Sequence, residues 1–379
     1  MNFELTEKQQ MLERKVREFA EGEVLPGVLA RDEAGEYSME LYKKMNDMGL
    51  IGLPFEEKYG GQGGDYIDYA IAVKEISRVD ASMGISYSVA TSLYGGSVMN
   101  AASEEQKIEY LQPVLAGGKL GAFGLTEPNA GSDASGAVTV ALKKGDSYII
   151  NGAKCFTTNG PLADYFAVYA LTQPELKSKG YSVFLVKKGT PGFSIGKLEN
   201  KMGIRSAQVS ETIFTACEVP AECLMGKEGD GFRVAMKTLD GGRIGVAAQG
   251  LGIAEGAFEI ARKYMMQREQ FGKPLYKNQY LSFKMAELEC VIDQARFMLY
   301  KAAWDKSNGK PYSVSAAKAK LLCTDAAMMV TTEAVQMLGG NGYMKEYHVE
   351  RMMRDAKITQ IYEGTNEIQK LIISGAIFR

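Results

Sequence analysis

Two short stretches of this chain combine residue types that could do chemistry together. The first, Phe123-Gly-Leu-Thr-Glu-Pro-Asn-Ala-Gly-Ser-Asp133, opens like a strand and closes on small polar residues. Such a strand-to-loop edge presents backbone N–H groups and the hydroxyls of Thr126 and Ser132 to a polar ring system or a phosphate, although a plain surface loop has the same composition. The second, Ile361-Tyr-Glu-Gly-Thr-Asn-Glu367, sets Glu363 beside a glycine at a helix–loop junction, after Arg351-Met-Met-Arg-Asp-Ala-Lys357 and before the apolar Leu371-Ile-Ile. A glutamate there can face a cavity and act as a base once desolvated, whereas most glutamates are simply solvated.

Other chemistries fail on residue counts. The single histidine, His348, cannot build a zinc site and has no flanking nucleophile, so no metal is expected and hydrolases of the triad type are excluded. Five cysteines without a Cys-x-x-Cys pair, and odd in number, read as buried thiols and not as a disulfide framework. Gly250-Leu251-Gly252 puts Glu255 where a dinucleotide fingerprint needs its third glycine, Gly340-Asn341-Gly342 is followed by Tyr343-Met344-Lys345, and no phosphate-binding Gly-x-x-x-x-Gly-Lys loop occurs. A nucleotide must therefore be held by some other arrangement. Lysine and arginine (44) nearly balance aspartate and glutamate (46), for a net charge of −2, which argues against a nucleic-acid partner. No window approaches ~20 uninterrupted apolar residues and Met1 to Gln10 has no apolar core, so the expectation is a cytoplasmic protein with no membrane insertion.

The elements that must position these residues follow from periodicity. With 379 residues the length predicts two or three domains. Thr6-x-x-Gln9 is a capping box opening a helix on Leu12, Val16 and Phe19 that breaks at Pro26; a second helix follows Ser38, from Met39 to Met48; Asp65 caps a third. Ser103-x-x-Gln106 opens another, stopped by Gly117 and Gly118. From about Gly121 short alternating runs take over: Ala137 to Leu142, Tyr148 to Asn151, Phe166 to Leu171, Tyr181 to Val186 and Ser210 to Thr215, with Lys144-Gly-Asp-Ser147 as a hairpin turn. After Gly231 the helical period returns, and Leu281, Met285, Leu288, Ile292, Ala295 and Leu299 form a stripe for a bundle seam. Domains are expected at 1–120, 121–230 and 231–379. The small residues Ser88, Ala90, Gly95 and Gly96 are expected to leave room in a neighbouring pocket.

The two stretches, together with Leu239-Asp-Gly-Gly-Arg243, Arg268-Glu-Gln-Phe-Gly272 and Gln336-Met-Leu-Gly-Gly-Asn-Gly-Tyr343, closely resemble the acyl-CoA dehydrogenase family from Leu5 to Arg379. Within it the chain looks most like the short-chain, butyryl-CoA dehydrogenase and enoyl-CoA reductase branch of anaerobic bacteria. The resemblance implies an α+β multidomain fold: an N-terminal helical domain, a central β-barrel-like or orthogonal β domain, and a C-terminal four-helix bundle. It implies FAD as cofactor, with Phe123, Leu125, Thr126 and Ser132 lining the isoalloxazine and Phe156 and Thr158 covering its other side. Many members have tryptophan at Phe156, and phenylalanine can still stack there. Arg268, Phe271, Gln279, Gln336, Gly339 and Gly340 match segments holding the pyrophosphate and adenosine, partly across a subunit boundary, which implies a homo-oligomer, usually a tetramer. Thr365 and Glu367 are implied flavin contacts as well. Ser132, Asp240, Arg243 and Gly364 match substrate-binding positions.

By the same resemblance Glu363 is the catalytic base that removes the α-proton of an acyl thioester. Its backbone N–H and a flavin hydroxyl polarise the thioester oxygen, and the β-hydride passes to flavin N5. Isovaleryl- and long-chain enzymes place their glutamate just before the arginine of the 239–243 motif; here Gly242 stands there, which fits the short- and medium-chain group. The implied partners are an acyl-CoA or enoyl-CoA substrate and an electron-transfer flavoprotein, of the plain or the bifurcating kind. An aryl-acrylyl-CoA reductase such as caffeyl-CoA reductase, an acyl-CoA oxidase and a non-enzymatic acyl-CoA-binding relative remain open alternatives.

Overall fold

The computed structural model describes residues 4–116 and 118–378. Gly117, half of the expected helix stop, lies outside them, as do Met1 to Phe3 and Arg379; Gly118 is left-handed at φ 69°. The first part is helical: α1 (Glu7–Phe19), α2 (Val28–Ala34), α3 (Met39–Asp47), α4 (Tyr66–Ser77), α5 (Ala81–Ser88), α6 (Gly96–Ala101), α7 (Glu104–Gln106) and α8 (Gln112–Ala116). Both expected capping boxes close reciprocally, Thr6 with Gln9 and Ser103 with Gln106, and Asp65 caps α4 by accepting from the N–H groups of Ile67 and Asp68. Each satisfies N–H groups that an isolated helix start leaves without partners.

The middle part is one eight-stranded sheet of β1 (Gly121–Gly124), β2 (Val140–Lys144), β3 (Ser147–Thr158), β4 (Tyr165–Leu171), β5 (Tyr181–Lys187), β6 (Phe193–Leu198), β7 (Val209–Pro220) and β8 (Leu224–Met225). The order is β6-β7-β3-β2-β4-β5-β8, with β1 added parallel to β4. The 144–147 hairpin forms as read, Lys144 opposite Ser147. The expected central β domain is present, but its barrel-like alternative is corrected: among the described residues β6 and β8 stay unpaired edges and no barrel closes. Inside the sheet β2 meets β4 at a single residue pair, Val140 with Leu171, so the sheet nearly divides there. Its halves share a small core through Tyr148 against Phe184 and Phe166 against Phe193. β4 and β5 read as nearly unbroken apolar runs because both faces are covered. Phe166, Val168 and Phe184 enter this core, while Ala167, Tyr169, Val183 and Leu185 enter the large core shared with the helices.

The last part holds α9 (Gly231–Gln267), α10 (Gln279–Ser307), α11 (Ser313–Leu338), α12 (Val349–Thr359) and α13 (Asn366–Ile377). The expected stripe faces inward on α10, with Leu288, Ile292, Ala295 and Leu299 buried and Leu281 and Met285 partly so. The Gly250-Leu251-Gly252 string has a packing role. A Cβ on Gly252 would lie 2.2 Å from the Lys74 carbonyl oxygen, so the glycine lets α9 and α4 approach backbone to backbone. Charges tie α4 to its neighbours on both sides: buried Glu75 accepts from Arg17 Nε of α1 at 2.8 Å and from Arg78 Nε at 3.2 Å, and Arg78 reaches Glu259 of α9 at 2.7 Å. Burial alone would raise the pKa of Glu75; Arg17 and Lys74 bring it down to about 2. Of the five cysteines, all free, four are buried as read, but Cys290 is exposed on α10.

Candidate active site

A cavity of about 700 Å³ opens where the sheet meets both helical parts. One wall is Ile85, Val89 and Leu93 from α5 and the turn after it. A second is Phe123, Leu125 and Thr126 at the end of β1, with Ser132 in the following loop. Phe156 and Thr158 come from β3, Phe232, Met236, Leu239 and Arg243 from α9, and Glu363, Gly364 and Thr365 from the turn before α13. Size and mixed lining suit a cofactor or substrate of drug-like dimensions. The loop after β1 is pinned by Glu127. Its carboxylate pairs with buried Lys154 at 2.6 Å and accepts from the N–H groups of Val138 and Thr139 at 2.7 and 3.0 Å. Burial pushes that carboxyl up, but Lys154 outweighs it and leaves the pKa below the ordinary value. Glu127 therefore supports the loop and is committed as an anion.

Glu363 differs in every respect. It holds a left-handed backbone at φ 51°, unusual for a side chain with a Cβ, and Gly364 follows at φ 92°. Both carboxylate oxygens are shielded from solvent and have no hydrogen-bond partner among the described residues. Burial raises its pKa, while Lys320 and then Arg243 oppose, and the balance is about 7. A Cβ on Gly242 would stand 2.1 Å from Glu363 Oε2 and 2.7 Å from Leu93 Cδ2. The position at which the sequence comparison of branches turned is therefore directly against the carboxylate, and only glycine leaves it this space.

Neighbouring groups fix the turn. Tyr362 Oη donates to Gln249 Oε1, and Gln249 Nε2 donates to the Ala81 carbonyl at 2.9 Å. Gln369 Nε2 donates to the Gly364 carbonyl at 2.8 Å, and Thr365 caps α13 through the Ile368 N–H. Arg243, buried, is ion-paired to Asp240, whose Oδ1 also accepts from Ser313 Oγ at 3.0 Å. Asp240, expected at the substrate, is thereby engaged behind Arg243 and is not among the cavity's lining residues. Glu367, expected at the flavin, is exposed on the first turn of α13, outside the lining.

The structure does not bring Arg268, Phe271, Gln279, Gln336, Gly339 or Gly340 to this cavity. All six are exposed; Phe271 is 100 % accessible, and nothing lies within 4 Å of where a Cβ on Gly339 or Gly340 would be. The expected room beside Ser88, Ala90, Gly95 and Gly96 is also absent. Ser88 Oγ meets Tyr69 Oη at 2.7 Å, and a Cβ on Gly95 would lie 2.8 Å from Phe55 Cζ, so these small residues accommodate neighbours inside the core. Sequence reasoning missed Lys320, fully buried on α11 beside the turn. Its signal was a lysine in the helical phase of Ala316, Cys323 and Ala327, where only buried residues belong. It also missed the 199–204 loop, whose Met202 and Ile204 line the mouth.

Three family models match the chain in series: Acyl-CoA dehydrogenase, N-terminal domain, over residues 6–118; Acyl-CoA dehydrogenase, middle domain, over 122–217; and Acyl-CoA dehydrogenase, C-terminal domain, over 229–378. The chain is 54% identical over 379 residues to the short-chain specific acyl-CoA dehydrogenase of Clostridium acetobutylicum, covering 100% of both. Butyryl-CoA dehydrogenase from Megasphaera elsdenii has the same structure at TM-score 0.98 and 50% identity, again over 100% of each chain. A chain of the structure described as the electron transferring flavoprotein of Acidaminococcus fermentans, towards a mechanism of flavin-based electron bifurcation, matches at TM-score 0.99 and 51% identity over 100% of each.

Proposed function

The chain belongs to the acyl-CoA dehydrogenase family, and from that premise we propose that it interconverts short-chain acyl-CoA thioesters with their 2,3-enoyl forms, using Glu363 as the base. It is an FAD-dependent oxidoreductase of the short-chain type. The observation that carries the proposal is the Glu363 carboxylate: buried, aimed into the cavity, without a hydrogen bond, and with its pKa raised to about 7. A carboxylate so desolvated is a stronger base than an exposed one, and near neutral pH it is available in the deprotonated form.

The residues present fit FAD. Phe123 with Thr126, and Phe156 with Thr158, each give the cavity an aromatic ring and a hydroxyl against which a flat polar ring can lie. When bound, FAD supplies the acceptor for the β-hydride. The chain itself does the rest. Glu363 takes the α-proton onto a carboxylate oxygen, and its backbone N–H, which bonds to no other described residue, is free to polarise the thioester carbonyl. Thr126 and Thr158 orient the ring, and Leu93, Met236 and Leu239 exclude water from the acyl tail. In the enoyl direction protonated Glu363 returns the proton to the α-carbon.

By the same reading, Arg268, Gln336 and the bare backbone at Gly339 and Gly340 would hold the adenosine half. These lie outside the cavity of one chain, so a second copy completes the site. Exposed Phe271, Tyr280, Phe283 and Tyr343 support that homo-oligomeric reading, a tetramer by the family's habit. Electrons are exchanged with an electron-transfer flavoprotein in the cytoplasm, a partner supported by the neighbour from Acidaminococcus fermentans. No described helix is long and apolar enough to cross a membrane. The test is anaerobic mixing of the purified yellow protein with butyryl-, hexanoyl- and aryl-acrylyl-CoA. The proposal expects butyryl-CoA to bleach the flavin fastest; bleaching confined to longer or aromatic thioesters would overturn the substrate class.

A further inference from the structure

Lys320 sits on α11 with 0 % exposure. Its Nζ donates to Asn366 Oδ1 at 2.9 Å, and no carboxylate among the described residues stands within ion-pair distance of it. Asn366 begins α13, three residues beyond Glu363, and its own amide donates to Thr324 Oγ1 at 3.0 Å and Asp325 Oδ1 at 2.8 Å. Asp325 also accepts from Gln360 Nε2 at 2.6 Å. One face of α11 thus grips both ends of the 360–366 turn that holds Glu363 and Gly364 in left-handed backbone. A purely mechanical latch accounts for Thr324, Asp325 and Asn366. It does not account for a charge: a buried ammonium bonded to a neutral amide is disfavoured, and an apolar side chain would fill the same space without that penalty. The same turn carries the Glu363 carboxylate, whose oxygens are shielded from solvent and have no hydrogen-bond partner among the described residues.

We propose that Lys320 is a positioning residue for Glu363, a positive charge anchored on Asn366 behind the turn that sets the pH at which the carboxylate ionises. The inference rests on the reading of Glu363 as the base. The electrostatics agree with the geometry. Burial pushes Lys320 down to about 7, with Glu363 the first group opposing it, and burial pushes Glu363 up to about 7, with Lys320 the first opposing. The other groups facing the pair are Arg243 with its partner Asp240 on α9, Asp325 on α11, Glu367 on α13, Tyr69 on α4 and Tyr362 in the turn. Arg243 is held by Asp240, so its charge is fixed, while that of Lys320 can change near neutral pH.

The experiment compares the pH dependence of flavin reduction by butyryl-CoA in the holoenzyme, Lys320→Met and Lys320→Arg, with FAD content measured for each. In Lys320→Met the acid-side midpoint should rise by about one pH unit or more, so that the rate at pH 6 falls about tenfold while the plateau above pH 9 changes little. In Lys320→Arg, permanently charged, it should move to lower pH. Loosening of the turn cannot shift the profile in opposite directions. If only Lys320→Arg retains FAD, its downward shift carries the test alone. Unmoved midpoints, shifts of the same sign, or loss of FAD from both variants would overturn the proposal and leave Lys320 a structural residue. Glu363→Gln, run alongside, separates the two readings. If it stays active, the base lies elsewhere; if it is inactive while the Lys320 midpoints stand still, the Lys320 proposal alone falls.

Discussion

At the scale of single residues, the same burial that suits Glu363 to the proposed role of base works against folding. Its pKa is about 7 in the folded chain against an ordinary 4.5. Between those values the folded chain keeps a proton that the unfolded chain has released, so stability falls as pH rises through that window. Glu363→Gln cannot ionise. We expect it to melt above the wild type at pH 8, with the gap closing as pH falls below 4.5, in parallel thermal-unfolding scans; coincident curves at both ends would mean the carboxylate is solvated. The rate of flavin reduction should rise with pH toward a plateau above about 7. Glu363 itself was legible in the sequence, because Ile-Tyr-Glu-Gly-Thr is a distinctive string. Its environment was not: the oxygens' isolation depends on Gly242, Leu93 and Lys320, which lie 121, 270 and 43 positions away in the chain, and no local pattern records such meetings.

At the scale of elements, α9 is the part on which the site is built, carrying Met236, Leu239, Gly242 and Arg243 along one helix. Its seat against α4 depends on Gly252, where a Cβ would press within 2.2 Å of the Lys74 carbonyl. Gly252→Ala should therefore destabilise by about 1–3 kcal/mol through a forced backbone shift, read as a lowered Tm. An unchanged Tm would show that α4 and α9 part easily. Caps and periods were readable because they are local: Thr6 with Gln9, Ser103 with Gln106 and the α10 stripe all stand as expected. The longer strands were found but with inexact ends, β7 running from Val209 to Pro220 where the alternation showed only Ser210 to Thr215, and the edge strands β6 and β8 were missed. The open sheet could not be read, since whether the edge strands β6 and β8 meet is not recorded in the propensity of any strand.

At the scale of the molecule, the proposed function makes a single chain an incomplete enzyme. The residues proposed for the FAD ring and the acyl chain meet in one cavity, whereas Arg268, Phe271, Gln336, Gly339 and Gly340 face outward. If a second copy brings its cofactor to them, Arg268→Ala should weaken FAD retention and assembly together. Truncating one partner of a buried charged contact costs about 2–5 kcal/mol, which is some 30-fold or more in Kd. Sedimentation of the variant beside its FAD absorbance checks this, and an intact, fully loaded oligomer would place the pyrophosphate elsewhere. The sequence named these residues only through family likeness, since exposed residues leave no trace of a partner in periodicity or burial. The most direct test of the whole account is anaerobic stopped-flow mixing of FAD-loaded Glu363→Gln with butyryl-CoA. The substitution keeps shape and removes the proton acceptor. We predict normal FAD content, a flavin spectrum perturbed by the bound thioester, and reduction slowed by about 10²–10⁴ or more. Rapid bleaching near the wild-type rate would contradict the account and show that another group takes the α-proton.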